Sequence, residues 1–406
     1  MILDHLSVLR TMLELRLAEK LDPDSLGKMQ AKKLSALLRH ARAAPFYRSL
    51  PDSFGEIPIT KRSDIQASPG QFVPPNSRAS RRFLTSGSSG APISVPVDGS
   101  TFNHRMALRF YAEFCCGLSP RDLYAEVSVR SLAEPYLLSR AGLMRRASVP
   151  LSDGPKESFA ALLQLRPDVI GHFPSLMEMM ASLNIESARP LRLKRVFCTG
   201  ENLRSQSRKH IGDAFSCPVS EQYGSCESGY AAWECPEGRM HASPFHIAEI
   251  VDERGKEASS GRLVLTPLHP GLMRLVRYDS GDVAAWGRPC ACGRGTPVLG
   301  RIEGRNDDPV VLPSGAVLPA VSLSVLYLGR AVGGILQYQI VQESPERFLF
   351  RYVPSGRGLS RADERELCRR VESACNGEKI HVEFEAASSI RGSGGKLKRV
   401  ISRVKA

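Results

Sequence analysis

Long apolar runs are absent from this sequence of 406 residues. A helix that spans a bilayer needs about 20 consecutive apolar residues, and no segment supplies them. The N-terminal stretch MILDHLSVLR interrupts its apolar residues with Asp4, His5 and Arg10, which also excludes the pattern of a signal peptide. We therefore expect a cytoplasmic protein without a membrane span.

Acidic residues are fewer than basic ones. The sequence has 42 Asp and Glu and 55 Lys and Arg, which gives a formal net charge of +13. Such a charge suits an anionic partner, such as a nucleotide, coenzyme A, nucleic acid or a membrane surface. A basic solvated surface accounts for it equally well. No compact Lys/Arg block with interleaved aromatic residues occurs in the sequence, so we expect no nucleic-acid partner.

A disulfide framework is not expected, because the ten cysteines are scattered along a long chain that lacks a secretory signal. Four residues have a spacing that suits a metal, namely Cys235, His241, Cys290 and Cys292. Three thiolates and one imidazole would make a closed tetrahedral Zn²⁺ site of the structural type. The spacing is looser than a C-x-x-C pair, so four ordinary residues in reduced loops remain the alternative.

Hydrophobic periodicity predicts an α/β fold. Between residues 100 and 215, helix-like stretches alternate with short apolar runs, which is typical of parallel strands joined by helices. Residues 240–300 are rich in strand patterns, and a helix from Ser360 to Ala374 is expected near the C-terminus. We predict a large N-terminal domain of mixed and parallel sheets with helices, residues 1–303, and a small α+β domain, residues 304–406. An N-terminal helix is indicated by leucines at three-to-four spacing: Leu6, Leu9, Leu13, Leu17 and Leu21.

The segment TSGSSG combines hydroxyl side chains with two glycines, and such a loop can surround a triphosphate with hydroxyls and amides. It does not match the G-x-x-x-x-G-K-[ST] loop, and a Ser/Gly segment can also be a linker. The strand-like RRFL before it and ISVPV after it favour a hairpin loop instead. The residues of this candidate phosphate loop are Thr85, Ser86, Gly87, Ser88, Ser89 and Gly90.

Five segments resemble, in order, the signatures of the adenylate-forming (acyl-CoA synthetase) superfamily. TSGSSGAP resembles its phosphate loop, QYGSCES its Y-G-x-x-E segment, RYDSGD its Y-x-[ST]-G-D segment, GRNDD its hinge, and GSGGKLKRV the segment of its catalytic lysine. The N-terminal LLRHARAAPFYRSL and IPITKRSDI resemble the phenylacetate-CoA ligase-like branch. The PSG sequence after the hinge is more similar to capsule-biosynthesis-associated relatives.

The resemblance implies a binding site for ATP and Mg²⁺. The phosphate loop would hold the β- and γ-phosphates, and Tyr223 would lie against adenine. Asp282 would accept hydrogen bonds from the ribose hydroxyls, and Glu227 would place Mg²⁺. The remaining nucleotide-binding positions are Gly200, Glu201, Gly224 and Arg305.

The same resemblance implies a mobile C-terminal domain. Lys396 would neutralise the charge that develops between the carboxylate and the α-phosphate, and the domain would rotate about Asp307 between two half-reactions. Ile93 stands where the phosphate loop usually has a lysine after its proline, so the cation would come from Lys396 or Arg305. Some members of the branch carry a similar C…H…C-x-C set, which favours structural zinc bracing residues 235–292.

The resemblance implies an ATP-dependent acyl-CoA ligase that acts on a small carboxylic acid, which we expect to be aromatic. The acceptor is expected to be coenzyme A, with a carrier-protein phosphopantetheine or an amine as the alternative. A non-catalytic nucleotide-binding member is the third hypothesis. The oligomeric state, a monomer or a homodimer, stays open.

Overall fold

The computed structural model describes residues 3–84, 93–128, 139, 141–150, 155–303, 310–318, 323, 335–354, 356–375, 377–390 and 397–404. The chain divides into two compact units. Unit 1 comprises residues 1–122, 134–145 and 220–304, and unit 2 comprises residues 123–133, 146–219 and 305–406. The predicted division into residues 1–303 and 304–406 stays a prediction.

The helices, in chain order, are α1 (His5–Ala18), α2 (Pro23–Ala41), α3 (Arg62–Ala67), α4 (Gly99–Cys115), α5 (Pro155–Leu165), α6 (Pro174–Glu186), α7 (Ser205–Phe215) and α8 (Arg361–Ala374). Short 3-10 turns lie at Pro45–Tyr47, Phe54–Glu56 and Pro69–Phe72.

The strands of the first half are β1 (Arg81–Leu84), β2 (Ser94–Val97), β3 (Tyr124–Ser128), β4 (Arg146–Pro150), β5 (Val169–His172), β6 (Arg195–Thr199) and β7 (Val219–Ser225). The next are β8 (Gly229–Glu234), β9 (Met240–Ala242), β10 (His246–Val251), β11 (Ser260–Pro267), β12 (Tyr278–Trp286) and β13 (Val298–Glu303). The last are β14 (Val310–Val311), β15 (Val317–Leu318), β16 (Ile335–Ser344), β17 (Arg347–Pro354), β18 (His381–Ala386) and β19 (Val400–Ser402).

Unit 1 carries an antiparallel sheet with the strand order β10-β11-β12-β13-β9-β8-β7. A separate hairpin pairs β1 with β2 and encloses the candidate phosphate loop in sequence. Helix α1 packs on α4, and Leu15 of α1 lies fully buried with Trp233 of β8 in one hydrophobic cluster. The strand-rich region predicted between residues 240 and 300 is therefore confirmed.

Unit 2 carries the parallel strands that the alternating pattern predicted. Their order is β6-β5-β3-β4, and every pair in it is parallel. Gly171 of β5 has no room for a side chain, because an added Cβ would lie 2.2 Å from the hydroxyl of Tyr124 and 2.8 Å from the carbonyl oxygen of Phe197. The three strands can approach this closely only where β5 has a glycine.

A second sheet in unit 2, with the order β18-β17-β16-β19, is covered by α8 through a hydrophobic cluster that includes Phe350 and Leu367. Helix α8 starts one residue after its N-cap Ser360, whose hydroxyl accepts a hydrogen bond from the Asp363 amide. The carboxylate of Asp363 accepts the Ser360 amide in return, so the capping box fixes the start of the helix. The α/β fold class predicted from the sequence is confirmed.

The periodic leucines of α1 form the expected helix, but they do not face its core. Asp4 caps the helix by accepting the amide of Ser7, and Val8, Leu15 and Ala18 form its buried face. The side chains of four of the periodic leucines are exposed instead: Leu6, Leu9, Leu13 and Leu17. In the part of the chain that the structure describes, no helix is long and apolar enough to cross a membrane.

Candidate active site and metal centre

The Y-G-x-x-E segment lies at the turn between β7 and β8. Two glycines allow this turn to form. Gly229 has φ +75°, and a Cβ on Gly224 would lie 2.5 Å from the carbonyl oxygen of Gly229. The pairing of β7 with β8 shifts register between Tyr223 and Gly224, so the side chain of Tyr223 leaves the regular ladder next to the turn.

Tyr223 and Asp282, which were both predicted to bind the nucleoside, are in direct contact. The Tyr223 hydroxyl donates to Asp282 Oδ2 over 2.6 Å. Asp282 is held by a bend in β12, where Gly281 has φ +70° and donates its amide to Asp279 Oδ1 over 2.7 Å. The Asp282 amide donates to the Ser280 hydroxyl. An aromatic ring and a carboxylate that meet in this way match what adenine and ribose need.

Glu227 is buried, with 7% of its surface exposed, and its carboxylate is already engaged. Arg62 Nη1 donates to Glu227 Oε1 over 2.6 Å, and the Tyr278 hydroxyl donates to the same oxygen over 3.0 Å. These contacts keep the carboxylate compensated although it is out of water. Both go to Oε1, which leaves Oε2 as the oxygen that is suited to a hard cation such as Mg²⁺.

Arg105 of α4 holds the main chain of the same turn. Its Nη1 donates to the carbonyl oxygen of Cys226 over 2.7 Å, and its Nη2 donates to that of Glu227 over 2.8 Å. On the other side of the turn, His246 Nε2 lies 3.0 Å from the carbonyl oxygen of Ser228. The guanidinium and the imidazole therefore fix the backbone from which Glu227 projects.

Sequence reasoning missed Arg62 and Arg105. Arg62 belongs to the IPITKRSDI segment, which resembles the ligase branch. The sequence therefore singled out this segment, but it did not indicate that Arg62 binds Glu227. Nothing in the sequence singles out Arg105. Both contacts join residues more than a hundred positions apart, and a single sequence does not report such pairs.

Gly200 and Glu201 lie in unit 2, directly after β6, where Gly200 has φ +78°. The Glu201 carboxylate accepts hydrogen bonds from the Ser175 amide over 3.0 Å and from the Ser175 hydroxyl over 3.1 Å. Its Oε1 also accepts the amide of Leu397 over 2.7 Å. Glu201 thus joins the end of β6, the start of α6 and the C-terminal segment of the same unit.

Several predicted site residues lie outside the described residues. They are Thr85, Ser86, Gly87, Ser88, Ser89, Gly90, Arg305, Asp307 and Lys396. Their roles stay predictions.

The four predicted metal ligands converge in unit 1. Their ligand atoms all lie within 4.8 Å of one another. Cys235 Sγ lies 3.6 Å from Cys290 Sγ, and Cys292 Sγ lies 3.4 Å from His241 Nε2. Tetrahedral zinc, with bonds of about 2.3 Å to sulfur and about 2.0 Å to nitrogen, requires separations of roughly 3.8 Å and 3.5 Å. The donor set and its geometry therefore fit zinc.

The surroundings of His241 also suit a metal ligand. The ring is 1% exposed, and its Nδ1 faces the carbonyl oxygen of Thr296 at 3.1 Å. An Nδ1–H that donates to a carbonyl leaves Nε2 as the ligand atom. Burial lowers the pKa of His241, which favours the neutral imidazole that a metal needs.

The known proteins to which the chain is similar include CoA ligases, the kind of protein that the motifs resemble. No protein-family model matches the chain. The chain is 28% identical over 376 residues to phenylacetate-coenzyme A ligase of Thermus thermophilus, which covers 80% of this chain and 79% of the relative. It is 24% identical over 256 residues to protein CapK of Staphylococcus aureus, which covers 60% of this chain and 55% of CapK.

Solved structures share the fold. A 2-hydroxyisobutyryl-CoA ligase in complex with 2-HIB-AMP in the postadenylation state superposes with a TM-score of 0.76 at 23% identity, over 95% of this chain and 91% of the ligase. A benzoate CoA ligase from Burkholderia xenovorans gives a TM-score of 0.52 at 15% identity, over 84% of this chain and 78% of that one.

The fold, the ordered motifs and the relatives all resemble those of one class, the AMP-forming acid–thiol ligases. Within that class the chain is similar to phenylacetate-coenzyme A ligase, and it is also similar to protein CapK.

Proposed function

We propose that this protein joins a small carboxylic acid to the α-phosphate of ATP, releases pyrophosphate, and transfers the acyl group from the acyl-adenylate to the thiol of coenzyme A. The contact between Tyr223 and Asp282 carries this proposal. It brings together the aromatic ring and the carboxylate that two separate motifs predicted for adenine and ribose. The relatives that are ligases of the same kind support it.

The chain's own residues divide the work as follows. Asp282 accepts the ribose hydroxyls, and Tyr223 both packs on the base and orients the Asp282 carboxylate. Glu227 is held in place by Arg62, Tyr278 and the backbone contacts of Arg105, and it would hold Mg²⁺ through Oε2. Bound Mg²⁺ would screen the charge of the phosphates. Lys396 would stabilise the charge that develops at the α-phosphate.

The acid is proposed to be aromatic, as the resemblance to phenylacetate-CoA ligase suggests. The 2-hydroxyisobutyryl-CoA ligase is a structural neighbour whose name gives a branched hydroxy acid, so short aliphatic hydroxy acids belong in the same screen. Coenzyme A is the proposed acceptor. The unusual PSG sequence after the predicted hinge keeps a carrier protein or an amine as the second candidate.

A pyrophosphate-release assay with ATP, Mg²⁺ and a panel of aryl and hydroxy acids tests the proposal. We expect turnover with at least one acid, followed by a coenzyme A thioester. Lys396→Ala should slow adenylation by about 10²-fold, equal to about 2.7 kcal/mol in the barrier. A folded protein that releases no pyrophosphate with any acid would overturn the proposal, and an adenylate without a thioester would favour the second acceptor.

We further propose that Cys235, His241, Cys290 and Cys292 hold a structural Zn²⁺. The four protein ligands complete a tetrahedron and leave no open position for a substrate. Cys235 follows β8, His241 lies on β9, and the two other cysteines lie in the connection from β12 to β13. The ion would therefore brace the strands that carry Asp282 without taking part in the reaction.

A further inference from the structure

The outward face of α1 is an unusual surface. The leucines Leu6, Leu9, Leu13 and Leu17 are 80%, 52%, 61% and 69% exposed. At 3.6 residues per turn they fall within about 80° of one another, opposite the buried face. They are four of the seven large hydrophobic side chains that are exposed in the described part of the chain. Apolar exposure concentrated in this way marks an interaction surface, which we call the leucine face.

The leucine face is bordered by cations. Arg10 and Arg16 lie at its two edges, Lys20 follows the last turn of the helix, and all three are exposed. Arg10 shares its charge with Glu14, to which it is ion-paired over 3.1 Å. Arg16 and Lys20 therefore give this side of the helix a net positive charge.

An open cavity of about 690 Å³ adjoins the leucine face. Its size lies in the range of ligand sites. Part of its wall is apolar and comes from α1 and α4, namely Leu9, Met12, Leu13 and Phe114. Its cationic residues are Arg16, Lys20 and Arg294.

Arg294 is the buried cation of this cavity, because its side chain is only 11% exposed. Its Nε pairs with Glu19 Oε2 over 3.2 Å. Its Nη1 is buried and has no hydrogen-bond partner among the residues that the structure describes. A buried donor without an acceptor costs free energy, so an anionic group at this position would satisfy it.

We propose that the leucine face and the adjoining cavity dock this protein on a membrane surface that contains anionic lipid. Helix α1 would lie in the plane of the headgroups with its leucines among the acyl chains, as interfacial helices do. The cations would meet the lipid phosphates, and one lipid would place an acyl chain along the cavity wall and its phosphate near Arg294. The protein would rest on the bilayer without crossing it.

A second copy of the chain fits this surface less well. A two-fold contact places the same face against itself, so it would bring together two faces that both carry a net positive charge from Arg16 and Lys20. The acid nearest to them on α1, Glu14, is already paired with Arg10 and Lys33. An anionic lipid fits both sets of residues, because its acyl chains would cover the leucines and its phosphate would meet the cations.

Sedimentation with lipid vesicles tests this inference, which does not depend on the proposed ligase activity. We expect the purified full chain to sediment with phosphatidylcholine vesicles that contain phosphatidylglycerol, and not with pure phosphatidylcholine. Binding should weaken as salt is raised. The double variant Leu9→Glu/Leu13→Glu should lower the vesicle partition at least about 10-fold. Arg16→Gln and Lys20→Gln should each lower it about fivefold.

Ile185→Glu is the matched control, because Ile185 of α6 is 61% exposed and belongs to unit 2 and not to the leucine face. It should leave vesicle binding unchanged, and the unfolding midpoints of all variants should match that of the parent chain. No binding to anionic vesicles, or equal binding by the double variant, would overturn the proposal. So would binding of soluble decyl phosphate without vesicle binding, or a concentration-dependent dimer that the double variant abolishes.

Discussion

Tyr223 and Asp282 depend on each other at the centre of the candidate site. Their hydrogen bond joins a neutral donor to a carboxylate, and such bonds are stronger than those between neutral groups. Sequence motifs predicted both residues, because each lies in a short segment rich in glycine and polar side chains. The contact between them was not predicted, since it connects positions 59 residues apart.

Asp282→Asn should raise the KM for ATP at least about 10-fold, equal to about 1.4 kcal/mol of binding, and should change kcat less. The amide retains one acceptor but loses the charge that strengthens bonds from the ribose hydroxyls. Tyr223→Phe should have a smaller effect, because it removes only the orienting donor. Initial-rate kinetics measure both, with Asp252→Asn in the turn after β10 as a control that stays at the parent value. An unchanged KM in Asp282→Asn would contradict the ribose role.

Arg62 and Glu227 form an ion pair whose side chains are 13% and 6% exposed. Removing one member of such a pair leaves an uncompensated buried charge. The pair therefore links the stability of unit 1 to the residue that is proposed to hold Mg²⁺.

Arg62→Met should lower the free energy of unfolding by about 3–5 kcal/mol, because Glu227 then lacks its cation. The double variant Arg62→Met/Glu227→Gln should recover part of this loss, since it buries no charge. Denaturant unfolding of the parent and both variants measures the difference. Equal stability of parent and single variant would show that the contact does not hold the site together.

At the scale of elements, periodicity predicted the strands of unit 2 and the helix α8 well. Short apolar runs between helices can satisfy their backbone only in a sheet, and the capping box at Ser360 marks a helix start in the sequence itself. Periodicity could not say which face of α1 is buried, because leucines occur on both sides of that helix. Burial depends on α4, and no local pattern reports that contact.

The metal ligands were predictable for a chemical reason. Cysteine and histidine are few enough for their spacing to stand out, whereas arginines such as Arg62 are common. The segments around the cysteines, ECPEGRMH and RPCACGR, contain Gly and Pro, which favour the turns that bring the ligands together.

The purified protein should contain about one zinc per chain by elemental analysis. Cys292→Ser should lose the metal and lower the melting temperature by several degrees, because each kcal/mol shifts it by about 2–4 °C in a domain of this size. Cys368→Ser, in α8, is the control that should keep both the metal and the melting temperature. A metal-free parent protein of normal stability would contradict the zinc site.

At the scale of the whole molecule, buried histidines couple stability to pH. Burial lowers the pKa of His246 and of His269 to about 4, and nearby cations such as Arg105 act in the same direction. Burial also lowers the pKa of His104, whose ring stacks on His269 with centroids 4.1 Å apart. An unfolded chain would protonate these rings near pH 6.5.

Stability should therefore be fully present above about pH 6.5 and should fall as the pH drops towards about 4, because the unfolded state binds more protons in that window. Each histidine contributes a slope of at most about 1.4 kcal/mol per pH unit. Denaturant unfolding at several pH values measures it. His246→Gln should flatten the slope, and an unchanged slope in this variant would rule out His246 as a contributor.

The bond between the Leu397 amide and Glu201 has a consequence for genetics. The donor belongs to the main chain, so every amino acid except proline can supply it at position 397. A mutational scan would therefore register the contact at position 201, where the carboxylate is unique. At 397 it would register only the need for an apolar side chain. Substitutions of Leu397, which follows the proposed catalytic lysine, would therefore keep this hydrogen bond, whereas substitutions of Glu201 would remove it.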